Sequence, residues 1–297
     1  MGKEIAKRGI FMRYIIVSDS SSNIFKLEGT EYTTVPMKVI AEKEYVDSTT
    51  LNLTGMVEDL KKFKGKSGSS CPNVQDWLDA FGDYDAVFCA TISKNLSGSY
   101  NSAKQAMETW LEENPGKRGY VFDSLAAGPQ QIMLCEKIAQ LAEEGNDFDA
   151  IVEKALEYHN HTHILFRLES LTNLARNGRV SPAVAKIVGA LGIRVMGDVK
   201  GGLITPVHKI RGDKKAIPVL VEMMKERGFY DGAILRIAHC FGEEPALMLR
   251  DAVLAEFPNT KFALEPTTAL CSFYAEAGGL MIGFEGGYNT ENNNKDF

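Results

Sequence analysis

The chain has 297 residues, 44% hydrophobic and 24% charged, enough for two domains with a core each and unlike disordered or fibrous compositions. A formal net charge of -6 gives no general attraction to nucleic acid. The five cysteines, Cys71, Cys89, Cys135, Cys240 and Cys271, are scattered and form no C-x-x-C pair, which argues against a disulfide framework or zinc knuckle and for reduced thiols in a cytoplasm.

Residues 1–11 read as a charged extension without a signal-peptide core. Tyr14–Val17 is a β-branched run followed by a turn, "SDSSSN". Met56, Val57, Leu60 and Phe63 have helical spacing, and "GKSGSSCPN" after them reads as a loop. Asn73 with Asp76 predicts a capping box for a helix burying Val74, Trp77, Leu78 and Phe81. Ala86–Ile92 is a strand, Tyr100–Leu111 a helix that stops before Pro115-Gly116, and Tyr120–Phe122 a further strand. A helix through Ile132, Leu134, Ile138 and Leu141 follows. Alternating strands and helices predict parallel βαβ units, an α/β sandwich over residues 12–162.

From His163 to about residue 288 the texture is that of an α+β domain. Ile164–Leu168 is a strand, and Leu171, Leu174 and Ala175 mark a short helix ending at Asn177-Gly178. Ser181-Pro182 opens a helix with Val184, Ile187, Val188 and Leu191 inward. Gly192–Val199 and Leu203–Val207 flank Lys200-Gly201-Gly202 as a hairpin. Helices at Ile217–Arg227 and Pro245–Glu256, a strand at Gly232–Ala238 and a strand pair near Lys261–Leu264 and Met281–Phe284 complete it. No apolar stretch approaches the roughly 20 residues of a membrane helix, so no transmembrane segment is expected.

In a parallel sheet the loops leaving the C-terminal strand ends gather at one edge. Four serine-bearing loops belong there: Asp19–Ser22, Ser69-Ser70, Ser93–Ser99 and Asp123-Ser124. Hydroxyls and free backbone N–H groups at helix starts can hold an anion, and they can equally be ordinary helix caps. A nucleophilic serine needs a base, and no histidine precedes His159. There is no G-x-S-x-G, no G-x-G-x-x-G and no P-loop. "HNHTH" (His159–His163), if a strand, would put three histidines on one face, a geometry a metal could use, although no carboxylate-rich motif accompanies it. No metal or cofactor is expected.

Several motifs, in order, carry a family resemblance. They are "VSDSSSN" (Val17–Asn23), "VPMKVI" (Val35–Ile40), "SSCPN" (Ser69–Asn73), "ISKNLSGSYNSA" (Ile92–Ala103), "VFDS" (Val121–Ser124), "LESLTNLARNGRVS" (Leu168–Ser181) and "KIRGDKKAI" (Lys209–Ile217). The sequence resembles the DegV family of fatty-acid-binding proteins, the lipid-carrying subunits of bacterial fatty acid kinase.

The resemblance implies two α/β domains with one long-chain fatty acid between them and no chemistry of the chain's own. Ser69 and Ser93 would bond the carboxylate, Ser97 and Gly98 would form the tight turn beside it, and Tyr274 stands where the family often has a histidine. Tyrosine can donate a hydrogen bond there but cannot supply a cation. Arg179 would belong to the head-group network with Asp19 and Ser124, and Arg211 and Lys214 to a docking patch for the kinase subunit. Lys94 stands where a second serine is usual, and Gly128-Pro129 departs from the family pattern. Phe166, Leu168, Val180, Ile187 and Leu191, with Leu171 and Leu174, are candidate walls for the acyl chain. Arg167 and Glu169 should then face away from it, as strand alternation requires. The rival expectation is a hydrolase or transferase that uses the same serine loops on a small acidic substrate.

Overall fold

A computed structural model gives the structure of the protein and describes residues 12–181 and 192–292. The first lobe is built on a four-stranded parallel sheet. Strands β1 (Tyr14–Asp19), β2 (Tyr32–Val35), β6 (Ala86–Thr91) and β7 (Arg118–Asp123) lie in the order β2-β1-β6-β7. Every residue of β6 is buried, because helices cover both faces of the sheet. On one face pack α2 (Val74–Phe81) and α3 (Ser99–Glu113), around Trp77, Phe81 and Trp110. On the other pack α4 (Pro129–Glu143) and α5 (Phe148–His159), where Phe88 stacks on Phe148. The predicted capping box is present: Asn73 Oδ1 accepts from the Asp76 N–H at 3.0 Å and Asp76 accepts from the Asn73 N–H at 2.8 Å.

A small antiparallel sheet, β4-β3-β5, sits beside this lobe. It is made from β3 (Lys38–Ile40), β4 (Glu44–Val46) and β5 (Gly68–Ser70). The expected Gly/Ser loop is therefore in part a strand, because Ser69 pairs with Val39 in the ladder. Helices α1 (Leu53–Lys62) and α9 (Ala269–Ala275) share an apolar cluster with it.

The second lobe is a mixed six-stranded sheet in the order β10-β9-β8-β13-β11-β12. Its strands are β8 (Thr162–Leu168), β9 (Ile193–Lys200), β10 (Leu203–Arg211), β11 (Ile234–His239), β12 (Lys261–Pro266) and β13 (Leu280–Glu285). Only the β11–β12 neighbours run parallel. The two strands expected to pair, β12 and β13, are instead separated by β11. The reason is α9, which intervenes between them in sequence and lets the chain cross over. The β9–β10 hairpin turns at Gly201 and Gly202, both with positive φ, as its two-residue loop requires. Helices α7 (Asp213–Glu226) and α8 (Glu243–Glu256) cover one face of this sheet, and the short α6 (Thr172–Arg176) lies beyond β8. The predicted helix after Ser181, with Ile187 and Leu191, lies outside the described residues.

Helix α4 joins the lobes. Ten of its residues, from Pro129 to Leu141, are buried, because it packs on β1 and β6 of one sheet and on β8, β11 and β13 of the other. Its Glu136 pairs with Arg236 of β11, Nε to Oε2 at 3.0 Å. Gly283 of β13 permits this contact: a Cβ there would stand 2.7 Å from the Pro129 Cβ.

The three histidines of "HNHTH" do not share a strand face, because α5 continues through His159. His159 is buried beside Thr162, His161 meets Glu157 at 3.3 Å, and His163 stacks on Phe284 with Nε2 2.9 Å from the Gly287 carbonyl. Among the described residues no group of three metal-binding side chains converges. Burial pushes the His159 imidazole down to about 4. In the unfolded chain it titrates at the usual value of about 6.5, so the unfolded state binds a proton that the native state refuses. Stability is therefore expected to fall as pH drops from about 6.5 toward about 4, and His159→Asn to flatten that part of a urea-midpoint against pH curve. An identical slope in the variant would exclude His159 as the cause.

Candidate functional site

The C-terminal ends of the parallel strands are organised by two buried carboxylates. Asp19 ends β1 and is fully buried. Its Oδ2 accepts from the Ile92 N–H at 3.0 Å and the Ser99 hydroxyl at 2.6 Å. Its Oδ1 accepts from the Ser21 hydroxyl at 2.5 Å, the Ser21 N–H at 3.3 Å and Gln131 Nε2 at 3.2 Å. One side chain thus ties together two loops and α4. Asp47 performs the same service for α9. It accepts from the N–H groups of Ala269 and Leu270 at 2.9 and 3.1 Å and from the hydroxyls of Ser20 and Thr268, both at 3.0 Å. Burial raises its pKa, and the Leu270 and Ala269 N–H groups oppose that rise.

Between the lobes lies a narrow cavity of about 780 Å³, including the solvent at its mouth. One side is the second-lobe sheet, with Ile164, Phe166 and Leu168 of β8, Met281 of β13, and Val199 and Ile204 of the hairpin. The other comes from the first-lobe loops and α9, with Met37, Ile92, Leu96, Ala127, Leu270 and Cys271. Alternation along β8 explains the division: Arg167, between two wall residues, points to the opposite face and is fully buried in an ion cluster. Burial pushes the Cys271 thiol up, so it stays protonated.

Polar side chains on this wall are few and gathered. Ser69 Oγ and Tyr274 Oη are 2.8 Å apart, and the Arg179 guanidinium lies 5.9 Å from the centre of the Tyr274 ring. Arg179 Nε donates to the Leu96 carbonyl at 3.1 Å, which brings it beside Ser97. A hydroxyl pair, a third hydroxyl and a cation on the wall of an apolar slot have the chemistry to hold a single anionic head. No aspartate, glutamate or histidine is among the described residues of the wall.

Of the expected head-group residues, Ser69, Ser97, Arg179 and Tyr274 reach the cavity wall. Ser93 does not: its Oγ donates to the Gly202 carbonyl at 2.9 Å and accepts from the Asn95 N–H at 3.2 Å, and the side chain is fully buried. The approach is close enough that a Cβ on Gly202 would stand 2.2 Å from that oxygen. Asn95 Nδ2 holds the neighbouring Gly201 carbonyl at 2.7 Å, so this loop grips the hairpin tip. Gly98 has φ -72°, which any residue adopts, and precedes α3 without lining the cavity. Asp19 acts from behind, and Ser124 turns its own loop by bonding the Ala126 carbonyl at 3.2 Å.

Among the expected walls, Phe166, Leu168 and Leu174 line the cavity, whereas Leu171 and Val180 are buried in the adjoining apolar cluster. Lys94 lies over Asp123, Nζ to Oδ2 at 3.9 Å, and near the Tyr100 ring. Arg211 at the end of β10 and Lys214 in the first turn of α7 are both exposed on one edge of the second lobe. Sequence reasoning missed Met37, Leu270, Cys271 and Met281 as wall residues. Met37 lies in a loop without periodicity, and Leu270 and Cys271 lie in α9, a helix the sequence did not reveal.

Fold and site together define a two-lobe α/β protein with an apolar slot and one polar end. The chain belongs to the DegV family, described as an uncharacterised protein family, whose model matches residues 13–285. It is 36% identical over 280 residues to a DegV domain-containing protein of Streptococcus gordonii, covering 92% of this chain and 99% of that one. Among solved structures it is similar to a DegV family protein of Eubacterium eligens loaded with heptadecanoic acid (TM-score 0.90, 36% identity, 92% of this chain and 100% of that one). It is likewise similar to the Streptococcus pneumoniae fatty acid kinase B3 protein loaded with linoleic acid (TM-score 0.90, 34% identity, 93% and 100%).

Proposed function

We propose that the protein holds one long-chain fatty acid and presents its carboxylate to a separate fatty acid kinase, with no catalytic step of its own. The observation that carries this reading is the cavity wall: among the described residues it is apolar except for Ser69, Ser97, Arg179 and Tyr274. In it the carboxylate meets Ser69 and Tyr274, with Arg179 supplying positive charge, and the tail runs along Phe166 and Leu168. Each methylene taken from water contributes about 0.8 kcal/mol, so the tail dominates affinity and the head fixes orientation. The fatty acids carried by the two related structures support the same ligand class.

In this reading the division falls between residues 12–162, which bear the head-group loops, and 163–288, which supply most of the tail wall. Arg211 and Lys214 form part of the surface that meets the kinase. Five free cysteines suit a cytoplasmic protein. The hydrolase reading lacks support at the site, since Ser69 bonds the Tyr274 hydroxyl and, among the described residues of the wall, no aspartate, glutamate or histidine faces either.

Native mass spectrometry of the purified protein should find a fatty acid near one per chain. Ser69→Ala and Tyr274→Phe each remove a hydrogen-bond partner from the head and should weaken binding by about 1–3 kcal/mol, read by competition with a fluorescent fatty acid. Unchanged affinity in both variants would move the head group elsewhere.

A further inference from the structure

The apolar cavity backs onto a second, polar one. Ile164 and Val199 line both. Behind them the polar cleft is walled by His163, Asp198, Lys200, Glu226, Arg227 and Glu291. Strand alternation puts two unlike cavities back to back across the sheet: His163 precedes Ile164 on β8 and Asp198 and Lys200 flank Val199 on β9, so their side chains point to the face opposite Ile164 and Val199. The cleft is firmly charged, for Arg227 is ion-paired with Asp198, whose other oxygen is buried without a hydrogen-bond partner.

The distance from the head group is set by β8. Leu168 packs in the cluster that contains Leu174 and Tyr274, at the polar end of the cavity. Ile164 is four residues further on, roughly 13 Å along an extended strand. It cannot shift toward β13, where its partner is Gly283 and Pro129 occupies the space a side chain would take. On its other side the β8–β9 register pairs Leu165 with Asp198, which brings Val199 alongside Ile164 one step later.

We infer that Ile164 and Val199 are the floor of the acyl cavity: they set the longest chain that fits and demand that its far end be apolar. The inference rests on the fatty-acid reading above and adds the residues that determine specificity. A chain longer than the floor allows finds no further apolar volume at this end, because the sheet backbone bars it from Asp198, Arg227 and Lys200, and it loses the burial that drives binding.

The test measures affinity for a homologous series of saturated fatty acids, and for a long-chain dicarboxylic acid, with wild type, Ile164→Ala/Val199→Ala and Val199→Leu. Wild type should show a sharp length ceiling and reject the dicarboxylic acid. The double alanine variant should raise the ceiling, with roughly tenfold tighter binding for each two methylenes newly accommodated, and should still reject the dicarboxylic acid. Val199→Leu should lower the ceiling, and it decides the matter alone if the double variant does not fold. A wild type that binds no fatty acid overturns the fatty-acid reading and the floor with it. A wild type that binds, with the same ceiling in every folded variant, overturns the floor and leaves that reading standing.

Discussion

Arg167→Met is expected to destabilise the protein by about 3–5 kcal/mol, the usual effect of removing one partner from a buried ion cluster. Arg167 is fully buried, pairs with Asp213, and meets Glu169 Oε1 at 3.1 Å and the Gly278 carbonyl. Arg194 joins the same acids, at 3.0 Å from Asp213 and 3.2 Å from Glu169. Methionine fills the volume but leaves two carboxylates with one guanidinium and the Gly278 carbonyl without its donor. The check is urea unfolding, where the midpoint should fall with an unchanged slope. Arg167→Met/Asp213→Leu should lose less than the sum of the single changes, because the remaining Arg194–Glu169 pair is balanced. The acid limb should change too. Burial pushes the Asp213 carboxyl up, but Arg194 and Arg167 outweigh it and hold the group below its ordinary value. Its contribution is thus present above the usual carboxylate range and lost as pH falls through the depressed value. The variant should lose it at a higher pH, and a midpoint within error of wild type would rule out the cluster as a stabilising element.

Asp19→Asn is the second large effect. Asparagine keeps the shape of the side chain but puts an NH2 where an oxygen now accepts from Ile92 and Ser99, or from Ser21 and Gln131. Either orientation sets donor against donor in a fully buried place, at about 1–3 kcal/mol for each group left unsatisfied. We expect a loss of about 3 kcal/mol and weaker fatty-acid retention, since the Ile92–Ser97 loop that lines the cavity is fixed through this carboxylate. Stability and retention measured on the same preparation separate the two. Retention unchanged in a destabilised protein would assign Asp19 to folding alone.

Local features were legible in the sequence. The Asn73–Asp76 capping box, the Gly201-Gly202 hairpin and the alternation that turns Arg167 away from Phe166 and Leu168 are each encoded within a few residues. The three-residue strands β3, β4 and β5 were not, since what makes Ser69 a strand residue is Val39 far away in sequence. Missing α5 made His159–His163 look like one strand face. Ser93 could not be read correctly from its motif, because its partner is Gly202, 109 positions later. Tyr274 was placed by resemblance, and its contact with Ser69 spans 205 positions that no local pattern connects.

The burial of α4 has a consequence for how the molecule comes apart. A helix that both sheets claim as core belongs wholly to neither, so severing the chain between residues 162 and 163 would leave each fragment with a greasy, uncovered sheet or helix face. The two lobes should therefore melt in one calorimetric transition, and the slot between them is better pictured as a seam within a single cooperative body than as a cleft between two hinged jaws.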